Sequence, residues 1–278
     1  MVEIGRRHKL RAVRAAPPGL FLDGEDLGEI LLPGSLIPPG VGIGGDVDVF
    51  IYCDSEDRLV ATTTMPRVMA GEVECLEVVG GNRQLGAFLD WGLPKDLLLP
   101  MRDQTGRIRD GDRVVVFVYV DEVSGRIVAS MRLDKFLDRE PPRYEPGQRV
   151  ALLIAEETDL GYKAVIENAH WGLLYHSDLG AGLAVGARLD GYVREIRPDG
   201  KIDLTLSRAG RSTVPPLALR IVEALRANGG QLDLDDSSPP ELIRARFSVS
   251  KKAFKQAIGA LYRERRIRLD GGAIRLVE

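Results

Sequence analysis

A repeated segment constrains the fold of this chain more than any other feature. The stretch Gly86–Pro100 reads GAFLDWGLPKDLLLP, and a near-copy, GLFLDGEDLGEILLP, occupies Gly19–Pro33. A looser third copy begins at Gly161. The copies recur every ~65 to 75 residues, which is longer than the period of a solenoid repeat. Each copy is therefore predicted to form a domain of its own.

Each copy is rich in short strand-like segments that are separated by turn residues such as Asp54–Asp57 and Pro198–Gly200. The alternation in RIVAS (126–130) and KIDLTLS (201–207) has period two, which is typical of half-buried strands. About five antiparallel strands in about 70 residues fit a small closed barrel of the OB type. The glycine that opens each copy is expected where a barrel strand bends sharply.

The last quarter of the chain has a different pattern. LALRIVEALRANGG is typical of an amphipathic helix, and a short second helix is expected to end at Phe247. Ser250 is placed to cap a third helix, KKAFKQAIGALYRERR, and RIRLDGGAIRLV is typical of a hairpin that turns at Asp270-Gly271. Three helices followed by a hairpin predict a winged helix-turn-helix domain.

The expected fold is therefore mainly β and multi-domain, with three consecutive five-stranded OB-fold barrels followed by an α/β winged helix-turn-helix domain. The predicted boundaries are residues 1–66, 67–143 and 144–211 for the barrels and 213–278 for the winged helix.

Charge is distributed unevenly along the chain, although the net charge is only −3. Residues 1–20 hold five Lys/Arg and one Glu, for a net +4. Residues 21–145 hold 13 basic and 23 acidic residues, for a net −10. Residues 146–211 are nearly neutral, with 8 basic and 9 acidic residues, and residues 212–278 are net +4. A phosphate-binding surface is therefore expected in the C-terminal half.

The three barrel copies resemble the S1-type RNA-binding domain. The family's aromatic position matches Phe21 and Phe88, and its Gly-Leu-Leu-His-x-Ser strand end resembles GLLYHS (172–177). The resemblance implies that an aromatic residue, a histidine-position residue and a basic residue share one barrel face that holds single-stranded RNA. No copy keeps the whole trio, because Pro33 and Pro100 occupy the histidine position in two copies and Lys163 occupies the aromatic position in the third.

Candidate RNA-binding residues follow from this resemblance and from the charge distribution. Aromatic rings can stack on bases, while Lys and Arg follow the phosphate backbone. Trp171 and Tyr175 are expected at the surface, with partial burial as the alternative. The candidates are Lys163, Trp171, Tyr175, His176, Arg194, Arg197 and Lys201 in the third copy, and Lys251, Lys252 and Lys255 on the third helix. Phe21, Arg58, Phe88 and Arg126 are assigned either to RNA binding or to the barrel core.

Over essentially its whole length, the chain resembles the conserved virulence factor B family of bacterial RNA-binding regulators. The segments TDLGYKAVIENAHWGLLYHSDL and SKKAFKQAIGALYRERRI are the most specific parts of that resemblance. It implies a non-catalytic protein that binds single-stranded RNA and influences gene expression. No metal or other cofactor is expected, and the oligomeric state is left open.

Three alternatives remain at this point. An enzyme would need clustered carboxylates, histidines or a nucleophile with its base, and none is recognisable around His8, His170 and His176. A DNA-binding transcription regulator would use the winged helix, but it leaves the barrels unexplained. A protein-interaction scaffold is favoured for the acidic first two copies, because a net −10 region repels RNA.

The chain lacks the apolar runs of a signal peptide or a membrane span, and a cytoplasmic protein without membrane association is expected. Its two cysteines, Cys53 and Cys75, lie in strand-like segments without metal-binding spacing. They are interpreted as small buried apolar residues of a reduced protein.

Overall fold

The computed structural model describes residues 1–179, 182–207, 216–263, 265–270 and 272–277. Within these residues, fifteen strands form three closed five-stranded barrels, and three helices with a three-stranded sheet form a C-terminal domain. The predicted fold class is confirmed. The four domain boundaries stay predictions, and the boundary at residues 211–213 lies outside the described residues.

The strands of the three barrels follow one another without interruption along the chain. The first barrel contains β1 (Arg7–Ala16), β2 (Gly19–Asp23), β3 (Glu29–Pro33), β4 (Asp46–Cys53) and β5 (Leu59–Thr62). The second contains β6 (Val73–Asn82), β7 (Gly86–Asp90), β8 (Leu97–Pro100), β9 (Arg113–Val120) and β10 (Ile127–Ser130). The third contains β11 (Arg149–Glu157), β12 (Gly161–Ile166), β13 (His170–Tyr175), β14 (Arg188–Ile196) and β15 (Ile202–Thr205).

All three barrels have the same strand order, in which the third strand pairs with the fifth and the fourth closes onto the first. The pairs β3–β5, β8–β10 and β13–β15 are parallel, so the expectation of wholly antiparallel barrels is wrong. The reason is geometric. A closed ring with an odd number of strands cannot alternate direction throughout, so one neighbouring pair must be parallel.

The repeated glycine opens the second strand of each barrel, where two backbones approach closely. A Cβ atom on Gly19 or Gly86 would lie 2.1 Å from a carbonyl oxygen of the third strand, and one on Gly161 would lie 2.0 Å from the equivalent oxygen. Such a contact is far inside van der Waals distance. The glycines are therefore needed for this approach of the third strand, in addition to any bend.

The second barrel explains the tryptophan in the repeated segment. Trp91 is 3% exposed and packs within the core of this barrel. Its indole N–H donates a 2.6 Å hydrogen bond to the Lys95 carbonyl oxygen. The rings of Trp91 and Phe50 pack edge to face with centroids 5.7 Å apart, and this aromatic contact joins the first barrel to the second.

A buried carboxylate also stabilises the second barrel. Asp103 is 1% exposed and accepts hydrogen bonds from Lys135 Nζ at 3.0 Å, Ser130 Oγ at 3.1 Å and the Tyr119 hydroxyl at 3.2 Å. Burial alone would raise the pKa of Asp103, but the hydrogen bonds from Lys135 and Ser130 outweigh it and the pKa lies below its usual value. The carboxylate thus remains charged and joins three segments of the barrel.

The C-terminal domain contains α1 (Pro216–Ala227), β16 (Gln231–Leu232), α2 (Pro240–Phe247), α3 (Lys251–Arg263), β17 (Ile267–Asp270) and β18 (Ala273–Leu276). Ser250 caps α3 as predicted, since its Oγ accepts a 3.2 Å hydrogen bond from the Ala253 N–H. The apolar face of α3 is buried, with Phe254 fully enclosed. Asp270 pairs with Ala273 in the predicted hairpin, and Gly271 lies outside the described residues.

The chain divides into two compact units. One unit contains residues 1–141 with 165–170 and 185–188, and the other contains residues 142–164 with 171–184 and 189–278. Cys75 is buried and Cys53 is half-buried, and both are free thiols. Among the described residues, no helix has the length and apolar character needed to cross a bilayer.

Candidate nucleic-acid interface

The outward face of β13 displays a row of large side chains on the third barrel. Burial alternates along this strand, with Gly172 and Leu174 buried and with Trp171, Leu173 and Tyr175 half-buried. The alternation places the last three on the outer surface of the barrel. Trp171 and Tyr175 thus lie at the surface and are also partly buried. Part of each side chain stays exposed to a ligand.

Lys163 lies next to this row and contacts its tryptophan. The ammonium nitrogen of Lys163 is 4.1 Å from the centroid of the Trp171 ring, which is cation–π geometry. Lys163 occupies the position that holds a phenylalanine in the other two barrels. The third barrel therefore presents a positive charge directly beside an aromatic surface.

Tyr175 belongs to a second cation–aromatic group at the other end of the row. Arg197 donates hydrogen bonds of 2.7 and 3.0 Å to the two carboxylate oxygens of Asp203 and also contacts the Tyr175 hydroxyl. That hydroxyl donates to Asp203 Oδ1 at 3.2 Å. Hydrogen bonding to Asp203 raises the pKa of Arg197 above its ordinary value. The three groups hold one another in place and fix the orientation of the tyrosine ring.

Asp203 is the residue of this site that sequence reasoning missed. Its side chain is 8% exposed, and its backbone pairs with Leu173 of the outward row. The aligned positions in the first two barrels are Val60 and Val128. The sequence did contain a signal for it, namely an aspartate at a strand position where the other two copies have valine. A buried carboxylate requires a hydrogen-bonding partner.

The other candidates in the third barrel lie on loops and strand ends, and each has a polar or acidic partner. The ring of His176 donates to the Thr158 carbonyl oxygen at 2.9 Å. Arg194 is paired with Asp178. Lys201 is 74% exposed and lies 3.1 Å from Asp199. The structure thus brings together two pairs, Lys163 with Trp171 and Tyr175 with Arg197, while Arg194 and Lys201 pair with neighbouring carboxylates.

In the first barrel, charged side chains of the protein itself contact both candidates. Phe21 is half-buried and outward-facing, and the Arg14 guanidinium lies 3.7 Å from its ring centroid. Glu29 accepts a 3.0 Å hydrogen bond from Arg14 and so holds it over the ring. Arg58 is paired with Asp54 at 2.7 Å. Phe21 is thus a surface residue rather than a core residue, and Arg14 lies over one face of its ring, as Lys163 lies over Trp171.

In the second barrel, Phe88 is also half-buried on the outer face, where its backbone pairs with Leu98 of β8. Arg126 is exposed and forms an ion pair with Asp57. Neither side chain belongs to the core of its barrel. Phe88 and Arg126 are therefore both surface residues.

The basic N-terminal segment is also neutralised. On β1, Arg7, Lys9 and Arg11 face β4, where Asp48 lies 3.4 Å from Arg7 and Asp46 lies 3.7 and 3.5 Å from the other two. The net +4 of residues 1–20 is thus offset by carboxylates on the neighbouring strand. These pairs make the segment a poor phosphate-binding surface.

The lysines of the winged helix lie on the exposed side of α3. Lys252 is exposed, while Lys251 Nζ donates to the Ser237 carbonyl oxygen at 2.9 Å and Lys255 lies 3.5 Å from Asp236. Both of those contacts reach the loop before α2. The lysines therefore form one solvated basic side of the helix, as the helical spacing predicts.

Metal-ligating side chains are not clustered in the described part of the chain, where no group of three His, Cys, Asp or Glu could hold an ion.

Two family models match most of the chain. Residues 4–64 and 70–132 match the S1 domain, and residues 219–276 match the CvfB-like winged helix domain. Both are nucleic-acid-binding domain families rather than enzyme families. They support nucleic-acid binding by this chain.

Relatives that align with most of the chain were found in several bacteria. The protein YitL of Bacillus subtilis is 29% identical over 268 residues, which cover 91% of this chain and 87% of YitL. Conserved virulence factor B of Staphylococcus saprophyticus is 25% identical, with 85% of this chain and 81% of that protein covered. A crystal structure of a multidomain protein with nucleic acid binding domains from Streptococcus pneumoniae is 23% identical, covers 99% of this chain and 98% of its own, and has a TM-score of 0.41. The chain thus combines S1 domains with a CvfB-like winged helix, and over about 85% of its length it is similar to conserved virulence factor B of staphylococci.

Proposed function

We propose that this protein binds single-stranded RNA without turning it over, chiefly through the third barrel and the winged helix, and thereby influences gene expression after transcription in the cytoplasm. The observation that carries the proposal is the outward row of β13. The Lys163 ammonium lies 4.1 Å from the centroid of one of its two aromatic rings, and Arg197, which is paired with Asp203, holds the other ring through its hydroxyl.

This arrangement suits a single strand because such a ligand offers exposed base faces and phosphates at the same time. A ring contributes ~1–3 kcal/mol per stacked base, and nearby cations follow the backbone without reading sequence. A duplex hides its base faces, so the row on β13 would have little to stack upon. The charge distribution supports the same assignment, since the winged helix is net +4 and residues 21–145 are net −10.

Binding of the full chain to single-stranded RNA, single-stranded DNA and duplex DNA of equal length, measured at two salt concentrations, tests the proposal. If about four to six phosphates are contacted, log K should fall with log salt at a slope of roughly −3 to −4 for the RNA. The RNA should remain intact during the measurement. Preferred binding of duplex DNA would favour a transcription regulator instead, and chelator-sensitive cleavage of the RNA would indicate an enzyme.

A further inference from the structure

The exposed side of α3 carries an aromatic ring as well as lysines. Its exposed residues recur at helical spacing and so lie along one stripe, which contains Lys252, Lys255, Gln256 and Tyr262. Tyr262 is 56% exposed, so more than half of its surface is open to solvent. Among the described residues, neither another aromatic ring nor a cationic group packs on the ring of Tyr262. The ring is therefore accessible to a ligand.

A glycine within α3 keeps the space beside this ring open. Gly259 lies three residues before Tyr262 and therefore on the same side of the helix. Side chains of an α-helix are directed towards its N-terminus, so the tyrosine side chain extends towards the turn that contains Gly259. A Cβ atom at Gly259 would meet no described atom within 4 Å beyond its chain neighbours and the helix's own backbone. Packing therefore does not require a glycine here, although glycine weakens a helix interior.

The charge of this stripe suits an anionic ligand. The sequence of α3, Lys251–Arg263, contains no acidic residue. Lys252 is exposed and forms no ion pair with a described carboxylate. Lys255 lies 3.5 Å from Asp236, and its side chain is 49% exposed. An exposed ion pair of this kind is weak, so a phosphate group can compete for Lys255. The stripe thus combines a ring that can stack on a base with cations that can bind phosphates.

This combination suits a single strand better than a duplex. A ring stacks on a base only where the face of the base is exposed, and the bases of a duplex are stacked on one another. Tyr262 lies ten residues beyond Lys252, which is about 15 Å along the helix axis. One extended single strand can therefore place a base on the ring and its phosphates beside the lysines.

We infer that Tyr262 stacks on an unpaired base of single-stranded RNA, in the space that Gly259 leaves open, while Lys252 and Lys255 contact the phosphates. The winged helix thereby selects single strands, in contrast to a recognition helix that enters the groove of a duplex. This inference rests on the proposed binding of single-stranded RNA and adds a stacking position outside the barrels.

Variants of the full-length protein test the inference, with binding of a labelled twelve-nucleotide single-stranded RNA measured by fluorescence anisotropy. Tyr262→Ala should weaken binding at least about fivefold, because one base loses its stacking surface. The slope of log K against log salt should stay unchanged, since no charge is removed. Gly259→Leu should also weaken binding, because the new side chain enters the open space. Its melting temperature should not fall, since leucine favours a helix more than glycine does.

Leu242→Ala is the matched control, because Leu242 is 55% exposed and the variant removes a large side chain from α2 of the same domain. It should leave RNA binding unchanged.

Tyr175→Ala, measured in the same assay, separates this inference from the proposed function. If Tyr175→Ala weakens RNA binding and Tyr262→Ala does not, the inference is overturned and the proposed function stands. The inference is also overturned if Leu242→Ala loses as much affinity as Tyr262→Ala, or if Tyr262→Ala changes the salt slope. If the parent protein does not bind single-stranded RNA, the proposed function fails and the inference fails with it.

Discussion

Tyr175 provides the sharpest test of how the third barrel binds its ligand. Its ring faces outward while Arg197 and Asp203 hold its hydroxyl, so the ring is already oriented before a base arrives. Tyr175→Ala removes the stacking surface, which contributes ~1–3 kcal/mol for one base. Since about 1.4 kcal/mol corresponds to a factor of ten, we expect affinity for single-stranded RNA to fall between about 5-fold and 150-fold.

Tyr175→Phe separates the ring from its hydroxyl. It keeps the stacking surface and removes the bonds to Arg197 and Asp203, so the loss of affinity should stay within about threefold. Phe88→Ala is the matched control, because it removes an outward aromatic side chain from the second barrel. It should leave RNA binding unchanged.

The assay is fluorescence anisotropy with a labelled twelve-nucleotide RNA, and hydrogen exchange of the strand amides verifies that each variant remains folded. Equal losses for Tyr175→Ala and Tyr175→Phe would show that the hydroxyl network matters rather than stacking. A larger loss for Phe88→Ala than for Tyr175→Ala would refute the assignment of the RNA surface to the third barrel.

Three further predictions concern charge and packing. Lys163→Gln should weaken RNA binding, reduce the salt slope by under ~1 unit and change the fluorescence of Trp171, whereas an unchanged slope would exclude a phosphate contact. Asp103→Asn should destabilise the second barrel by about 2 kcal/mol in urea unfolding at pH 7. Folding lowers the pKa of Asp103, so its carboxylate stabilises the folded state at pH values above the ordinary Asp pKa of ~4. This stabilisation is lost as the pH falls through the folded pKa. The unfolding free energies of variant and parent should therefore converge in acid. Gly86→Ala should cost at least ~1–3 kcal/mol through its clash with the third strand, while Gly106→Ala, which meets nothing within 4 Å, should cost far less.

The sequence repeat was sufficient to predict the barrels because each copy has its own glycine, strand alternation and turns. The glycine that opens β7, for example, is required by a backbone contact that recurs in all three barrels. The parallel pairing of the third and fifth strands was missed because local alternation gives no information on strand direction. The winged helix was predictable from the helical spacing and from Ser250, whose capping bond is local in sequence.

The candidate site was less predictable, because the net charge of a surface depends on ion pairs between residues that are distant in sequence. Arg11 and Asp46 are 35 residues apart but meet across the neighbouring strands β1 and β4, and Arg14 on β1 reaches Glu29 on β3, 15 residues away, across β2. Counting charge along the chain therefore overstated the basic character of the N-terminal segment. Asp203 was missed for the same reason, since its role depends on the register of β13 with β15.

Photochemical crosslinking tests the central claim most directly, because it locates the RNA on the intact protein. The full-length chain is irradiated with single-stranded RNA, digested and analysed by mass spectrometry for peptides that carry nucleotides. Our account predicts crosslinks in the peptides that contain Trp171 and Tyr175. Crosslinks confined to the peptides of Phe21 and Phe88, with none in the third barrel, would contradict it.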